Sequence, residues 1–329
     1  MSNPVITPEK RRLVANSRTL EALFSAGGAD DYRTQVKENW TVLRTDLIRI
    51  EPDVEFFPIP GYCLPCEKQV EFRVDYLAGG SRSTGPNWRE RLLCPNCKLS
   101  NRQRVIATLV SQVLADVSSG KQIYLMEQAT PLMNFLDKKQ SRHEVIGSEY
   151  FGAQFNPGQT IWPWHYLAPG DRDRPIRSVL LAARLAVRMF RRCGFRHENI
   201  EQLSFVDASL DFIVSNDVFE HVADPVGAFR ECARVLKPGG VMFATFPFFS
   251  DMGKSGTRAR LGPGGVEHLL PAEYHGDPTS SSGALVFTDF GGDVFGMLCE
   301  AGFSRVQIEV FHDLELGHLG GVPVFIVTR

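Results

Sequence analysis

Four short apolar runs, QIYLME (122 to 127), HEVIGSEY (143 to 150), DFIVSND (211 to 217) and VMFATFPF (241 to 248), constrain this chain more than any other feature. Each is of strand length and greasy at nearly every position, as strands are when helices cover both faces of a parallel sheet. Helical patterns separate them. The clearest is DPVGAFRECARVLKPGG (224 to 240), with an acidic start, an apolar face of Val226, Phe229, Ala233, Val235 and Leu236, and a Lys-Pro-Gly-Gly stop. After a helix candidate in GDVFGMLCEAGF come RVQIEVF and VPVFIVTR, which predict an antiparallel strand pair closing the sheet. The expected fold class is therefore α/β, with a doubly wound, mostly parallel sheet over 118–329 and a C-terminal antiparallel pair.

A sheet wound this way opens its ligand crevice at the carboxyl ends of its strands, where the strand order reverses. The acids and amides at those ends are the first candidates for chemistry. NDVFEHVADP (216 to 225) places Asp217, Glu220 and His221 at such an end. If a helix starts there, their spacing of three and four residues puts all three on one face, which suits a hard divalent cation. Two other readings stay open: a lone general base at His221 or His275, and acids that merely favour a helix N-terminus.

The stretch LSFVDASLDFIVSNDVFEHVADPVGAFRECARVLKPGGVMFATFPFF, residues 203 to 249, resembles the class I S-adenosylmethionine (SAM)-dependent methyltransferases of the type 11 group. The likeness extends more weakly over 120 to 329. It implies a Rossmann-like fold, SAM as cofactor and a site at the ends of the first, second and fourth strands. On that likeness Glu127 and Ala129 line the first loop and Glu149 accepts the ribose hydroxyls. Asn199 stands where the family has an adenine-contacting acid, with Ile200 as an apolar wall, and Asn216 and Asp217 line the methionine side. The ubiquinone-pathway O-methyltransferases and the small-RNA terminal 2′-O-methyltransferases have a similar ExxEH phrase that holds Mg²⁺ or Mn²⁺. The resemblance thus implies Mg²⁺ or Mn²⁺ at Asp217, Glu220 and His221, with His268 or His275 completing the set.

Two departures from the family pattern stand out. The first loop, MEQATPLMNFL, lacks the usual glycines, and Pro131 removes a donor from it, so an altered pocket or weaker cofactor affinity is expected. The absent GxGxxG also argues against a nicotinamide dehydrogenase. An insertion over 151–193 contains IWPWHY and RSVLLAARLAVRMFRRC. Its aromatic residues suit either a lid over the pocket or the core of an added subdomain.

Upstream, CLPC (63 to 66) and CPNC (94 to 97) flank a polar, glycine-rich loop. Two CxxC turns supply the four sulfurs zinc prefers, so Cys63, Cys66, Cys94 and Cys97 predict a structural zinc ribbon over 61–117, with SNRQRVIATLVSQVLADV as a connector helix. The rival readings are four buried thiols or disulfides. EYHGDP (273 to 278) and FTDFGGDVFGMLCEAGF also resemble a bacterial subgroup that joins a cysteine-rich ribbon to this fold. Residues 1–60 predict a helical arm, with one helix from the Thr7-Pro8-Glu9 start to about residue 25 and a second over much of 31 to 50.

With 36 basic against 38 acidic residues, no overall field draws the chain to nucleic acid or an anionic membrane. No apolar leader is apparent, and the longest greasy stretch is interrupted by Arg184 and Arg188. Together with an odd number of cysteines, seven, this predicts a cytoplasmic protein without membrane association. The expected activity is O-methylation of a small-molecule or glycan hydroxyl. RNA methylation gripped by the ribbon, and a catalytically silent binding or scaffold protein, are the alternatives.

Overall fold

A computed structural model describes residues 13–16, 55–166, 183, 186–187, 189, 194–249, 251–280, 282–313 and 315–329. The chain divides into two compact bodies, one of residues 1–116 with 306–326 and the other of 117–305 with 327–329.

The first body is sewn from both ends of the chain. Strand β1 (Leu13–Asn16) pairs antiparallel with residues 307–310, which lie within β8 (Arg305–Asp313). The helix expected from residue 7 to about 25 therefore gives way to a strand over these residues. Leu13 and Val14 suit a pleated partner, and tertiary pairing overrides local helical preference. The remainder of the expected arm lies outside the described residues. β8 is hydrogen-bonded to β9 (His318–Thr328), and the short turn through 315–317 requires the two to run antiparallel, as the sequence predicts. β2 (Phe56–Cys63) and β3 (Lys68–Asp75) form an antiparallel hairpin whose turn holds the first CxxC. Helix α1 (Asn101–Ala115) follows the second. Its N-terminus is fixed by a capping box, in which the Ser100 hydroxyl accepts from Gln103 N and the Gln103 side chain accepts from Ser100 N.

In the second body the parallel strands β4 (Gln122–Leu125), β5 (Glu144–Gly147), β6 (Leu210–Asn216) and β7 (Leu236–Thr245) lie in the order β5-β4-β6-β7. Ile123, Tyr124, Leu125, Ile213 and Val214 are fully buried, which explains their unbroken apolar character. Helix α2 (Pro131–Lys139) follows β4, and α3 (Pro225–Val235) links β6 to β7. Asp224 caps α3 by accepting from Gly227 N at 2.9 Å, and the helix buries Ala228, Phe229, Cys232, Ala233 and Val235. The helix ends at Val235, and the Lys-Pro-Gly-Gly stop already belongs to β7. After β5 the chain runs through the insertion and returns at Phe195–Arg196. There His197 bridges Glu149 in parallel, so the returning segment lies alongside the end of β5. No helix among the described residues is long and apolar enough to cross a membrane.

Candidate functional sites

β4 lies between β5 and β6, so the ends of these three strands face one crevice at the point where the connections diverge. Glu127 and Ala129 are buried in the loop after β4. Glu149 follows β5, half-buried, and its Oε1 accepts from Gln128 N at 2.7 Å and Ala129 N at 2.5 Å. Burial raises the Glu149 carboxyl to about 8, against the pull of those two amides. Asn216, at the end of β6, is pinned from two sides. Its amide donates to Glu127 Oε1 at 3.3 Å, and its Oδ1 accepts from the Thr245 hydroxyl at 2.9 Å. Asn199 is half-buried and spends its Oδ1 on Glu201 N at 3.0 Å, beside the buried Ile200.

The glycine missing from the first loop is replaced on the neighbouring strand. A Cβ at Gly147 would lie 2.9 Å from Met133 Sδ, 3.1 Å from Glu127 O and 3.2 Å from Gln128 Cβ, so a bare α-carbon at the end of β5 lets the loop settle. Pro131 occupies the first turn of α2, where a missing N–H costs nothing. Gly147→Ala is expected to displace the loop at a cost of about 1–3 kcal/mol, read as a lowered thermal unfolding midpoint.

At the end of β6, Asp217 adopts a left-handed backbone (φ 59°) and turns its Oδ1 to within 3.0 Å of the Thr245 hydroxyl. The single helical face expected for Asp217, Glu220 and His221 does not form, because only Phe219–His221 make a helical turn, of the tighter 3₁₀ kind. The structure instead gathers Glu220, His221 and His275, whose ligand atoms lie within 4.8 Å of one another. Asp217 and His268 are not in this group, and His268 ends the exposed strand Gly265–His268.

The Glu220 side chain is fully buried, and neither of its carboxylate oxygens has a hydrogen-bond partner. His221 Nε2 and His275 Nδ1 each lie 3.6 Å from Glu220 Oε1, and the two rings are 5.0 Å apart and nearly perpendicular. The outer ring nitrogens have acceptors of their own. His221 Nδ1 lies 2.8 Å from Leu285 O, and His275 Nε2 lies 3.4 Å from Glu273 Oε1. Protons on those outer nitrogens leave two imidazole lone pairs and a carboxylate aimed at one point. Such a set requires a cation or a proton at its centre. Glu220 accordingly holds the His275 imidazolium above its ordinary range. Glu273 escaped the sequence reading, although its place two residues before His275 in EYHGDP was a signal for it.

Among the described residues, Thr130 Oγ1 and Ser215 Oγ are buried without hydrogen-bond partners near the ends of β4 and β6, and no local pattern marks either. Within the insertion, Phe151, Ile161, Met189, Phe195 and the loop residue Ala129 form one buried apolar cluster, with Phe155 packed against it. Phe151, Ile161 and Met189 of the insertion thus pack as core, whereas Gln154, Asn156, Thr160 and Val187 are exposed. The side chains of Trp164 and Tyr166 lie outside the described residues.

In the first body, Cys63 Sγ lies 3.8 Å from Cys97 Sγ and Cys66 Sγ lies 3.6 Å from Cys94 Sγ, with all four sulfurs within 4.8 Å of one another. A disulfide would bring a pair to ~2.05 Å. A tetrahedron built on zinc–sulfur bonds of ~2.3 Å has edges of ~3.8 Å, matching the observed spacing. Glu67 and Lys98, each directly after a CxxC, both turn left-handed (φ 55° and 64°), and Cys66 N donates to Cys63 O while Lys98 N donates to Cys94 O. The two knuckles share the left-handed residue after the second cysteine but close with different backbone bonds, three residues apart in the first and four in the second.

The family match falls within the second body. Residues 177–244 match the family described as "Methyltransferase domain". A probable S-adenosylmethionine-dependent methyltransferase of Mycolicibacterium smegmatis is 43% identical over 56 residues, 17% of this chain and 22% of that protein. A ubiquinone biosynthesis O-methyltransferase of Caulobacter vibrioides is 39% identical over 72 residues, 22% of this chain and 29% of that protein. The chain therefore spans less than a third of the length of these two relatives. Among solved structures, a S-adenosylmethionine-dependent methyltransferase from Mesorhizobium loti aligns over 68% of this chain and 98% of its own, at 14% identity and a TM-score of 0.38. The second body thus carries a segment matching a methyltransferase domain, over residues 177–244.

Proposed function

We propose that this protein is a SAM-dependent O-methyltransferase in which Glu220, His221 and His275 hold a divalent cation that binds the acceptor hydroxyl. The observation that carries this reading is the convergence of three potential ligand atoms within 4.8 Å of one another after β6, with a fully buried carboxylate among them. When bound, SAM supplies a methyl group on a sulfonium, already activated for in-line displacement. The chain's own residues orient it. Glu149, one oxygen held by the loop amides, offers Oε2 to a ribose hydroxyl, Ile200 gives an apolar wall near the base, and Asn216 fixes the wall on the methionine side.

Held by Glu220, His221 and His275, a divalent cation would supply Lewis acidity to the acceptor hydroxyl, whose proton would leave to solvent as the methyl group passes from sulfur to that oxygen. Two imidazoles and one carboxylate favour borderline metals such as Fe²⁺, Co²⁺ or Zn²⁺, and accommodate the harder Mn²⁺, ahead of Mg²⁺, which prefers oxygen ligands. A small molecule or glycan unit with adjacent oxygens fits such a centre, since it chelates the open positions. The ubiquinone-pathway relative supports an acceptor of this kind. Four thiolates in the first body hold a structural zinc, supported by the tetrahedral sulfur spacing.

A second reading rests on the His275–Glu220 contact: the pair acts as a general base without metal. Chelation decides between them. Methyl transfer from labelled SAM to a panel of vicinal diols and catechols is expected to stop with EDTA and to return with Mn²⁺. Activity indifferent to chelator would favour the base, and acceptor binding that weakens steeply with salt would favour RNA.

The raised Glu149 carboxyl gives a pH dependence. The folded-state pKa of about 8 exceeds the ordinary 4.5, so the unfolded chain ionises first, and this group's contribution to stability falls between those values. A ligand that donates hydroxyls to the carboxylate reverses the trend. Calorimetry with S-adenosylhomocysteine is expected to show tighter binding from pH 6.5 to 8.5, with a flat profile in Glu149→Gln.

A further inference from the structure

The first body buries a positive charge whose partners are all uncharged. Arg104, on α1, is fully buried, and among the described residues it makes no ion pair. Its guanidinium donates to Leu316 O at 2.8 Å, Gly317 O at 2.6 Å and Leu92 O at 3.4 Å, and lies 3.9 Å from the centre of the Phe72 ring. Carbonyls and a ring face solvate a cation but carry no net charge. A guanidinium stays ionised even when buried, so its placement without a counter-ion is costly.

The missing negative charge lies in the same cluster. Phe72 and Leu92 pack with Cys63 and Cys94, and Leu92 precedes Cys94 by two residues. Four thiolates around Zn²⁺ sum to a net charge of −2, which a single guanidinium halves in magnitude. Burial pulls the Arg104 pKa down to about 10, and all four cysteine sulfurs oppose that shift. The two nearer carbonyls that receive the guanidinium, of Leu316 and Gly317, belong to the turn at 315–317, more than two hundred residues away in sequence. Close packing leaves that turn no slack. A Cβ at Gly317 would lie 2.3 Å from Phe72 Cε2, and Tyr62 N, just before Cys63, donates to Glu315 O at 2.6 Å.

We propose that Arg104 is the internal counter-ion of the zinc tetrathiolate and fastens the 315–317 turn beside it, so that metal occupancy and the seating of that turn rise and fall together. The inference rests on the zinc reading above. Arg104 touches no sulfur directly and acts as a positioning residue.

The test uses the full chain, with zinc measured by competition against a chromophoric chelator and amide exchange followed over 315–319. Arg104→Met keeps much of the side-chain volume and loses the charge, whereas Arg104→Lys keeps the charge and loses the fork. Arg104→Met is expected to bind zinc at least tenfold more weakly, in line with the ~10–100-fold effects of removing outer-shell partners, with Arg104→Lys between it and the parent. Exchange over 315–319 is expected to accelerate in Arg104→Met and in the chelated parent alike. Zinc affinity within twofold of the parent in Arg104→Met, or exchange at the turn unchanged on chelation, overturns the proposal. If Arg104→Met fails to fold, the chelated parent still decides. A parent that takes up no zinc, and gives no thiolate absorption with Co²⁺, overturns the zinc reading itself and the counter-ion with it.

Discussion

Replacing Glu220 with glutamine is expected to lower methyl transfer by at least about 100-fold while leaving nucleoside binding within a few-fold of the parent. The side chain is fully buried and, among the described residues, accepts no hydrogen bond, so a carboxylate charge there would require a positive group against it. The amide keeps the shape and removes the charge. His221 and His275 then face a neutral group, and both the cation and the acceptor oxygen it activates lose their anchor. Glu220 lies outside the Glu127–Glu149–Asn216 group, which is why S-adenosylhomocysteine affinity should survive. Metal affinity carries its own pH signature. Glu220 raises the proton affinity of His275, and the proton competes with the metal, so cation binding should strengthen as pH rises above the ordinary imidazole range. Calorimetric titration with Mn²⁺ at pH 6 and pH 8, on parent and Glu220→Gln, checks both points. Full activity in Glu220→Gln with metal still bound would remove the cation from the chemistry.

Removing zinc should have the largest effect on stability. Structural tetrathiolate sites contribute apparent binding free energies of about 10–16 kcal/mol near neutral pH, more than a small body's own net stability. The hairpin of β2 and β3 has a modest core of its own, with Ile59, Phe72, Val74, Trp88 and Leu92 gathered around the cysteines. Chelation or Cys94→Ser is therefore expected to unfold the first body and leave the second folded. Differential scanning calorimetry would show this as loss of one transition with the other retained. A single transition indifferent to chelator would mean that the four thiols pack as ordinary core.

How much of this was legible from residues alone varied with the range of the interactions. β4 to β7 were readable because burial on both faces imposes continuous apolar runs, and α1 and α3 because their caps are local chemistry at Ser100 and Asp224. The four cysteines were readable because a CxxC turn is itself a local device. The pairing of Leu13–Asn16 with residues 307–310 was not, since nothing local to either strand names a partner almost three hundred positions away. The metal-type cluster was half legible. Glu220 and His221 lie in one phrase, but the left-handed turn at Asp217 removes the first acid, and a distant strand supplies His275. Gly147 shows the same limit, because a motif scan looks for a small residue in the loop itself, while the space comes from across the sheet.

The first body's assembly from chain segments before 117 and after 305 also bears on biosynthesis. On the ribosome, both CxxC knuckles emerge early and can capture their ion while the second body is still being made. The Leu316 and Gly317 carbonyls that receive Arg104 arrive 212 and 213 residues after it, together with the strands that close the first body. Until then the nascent ribbon must wait with an open flank, and its completion reports that the second body has already been delivered.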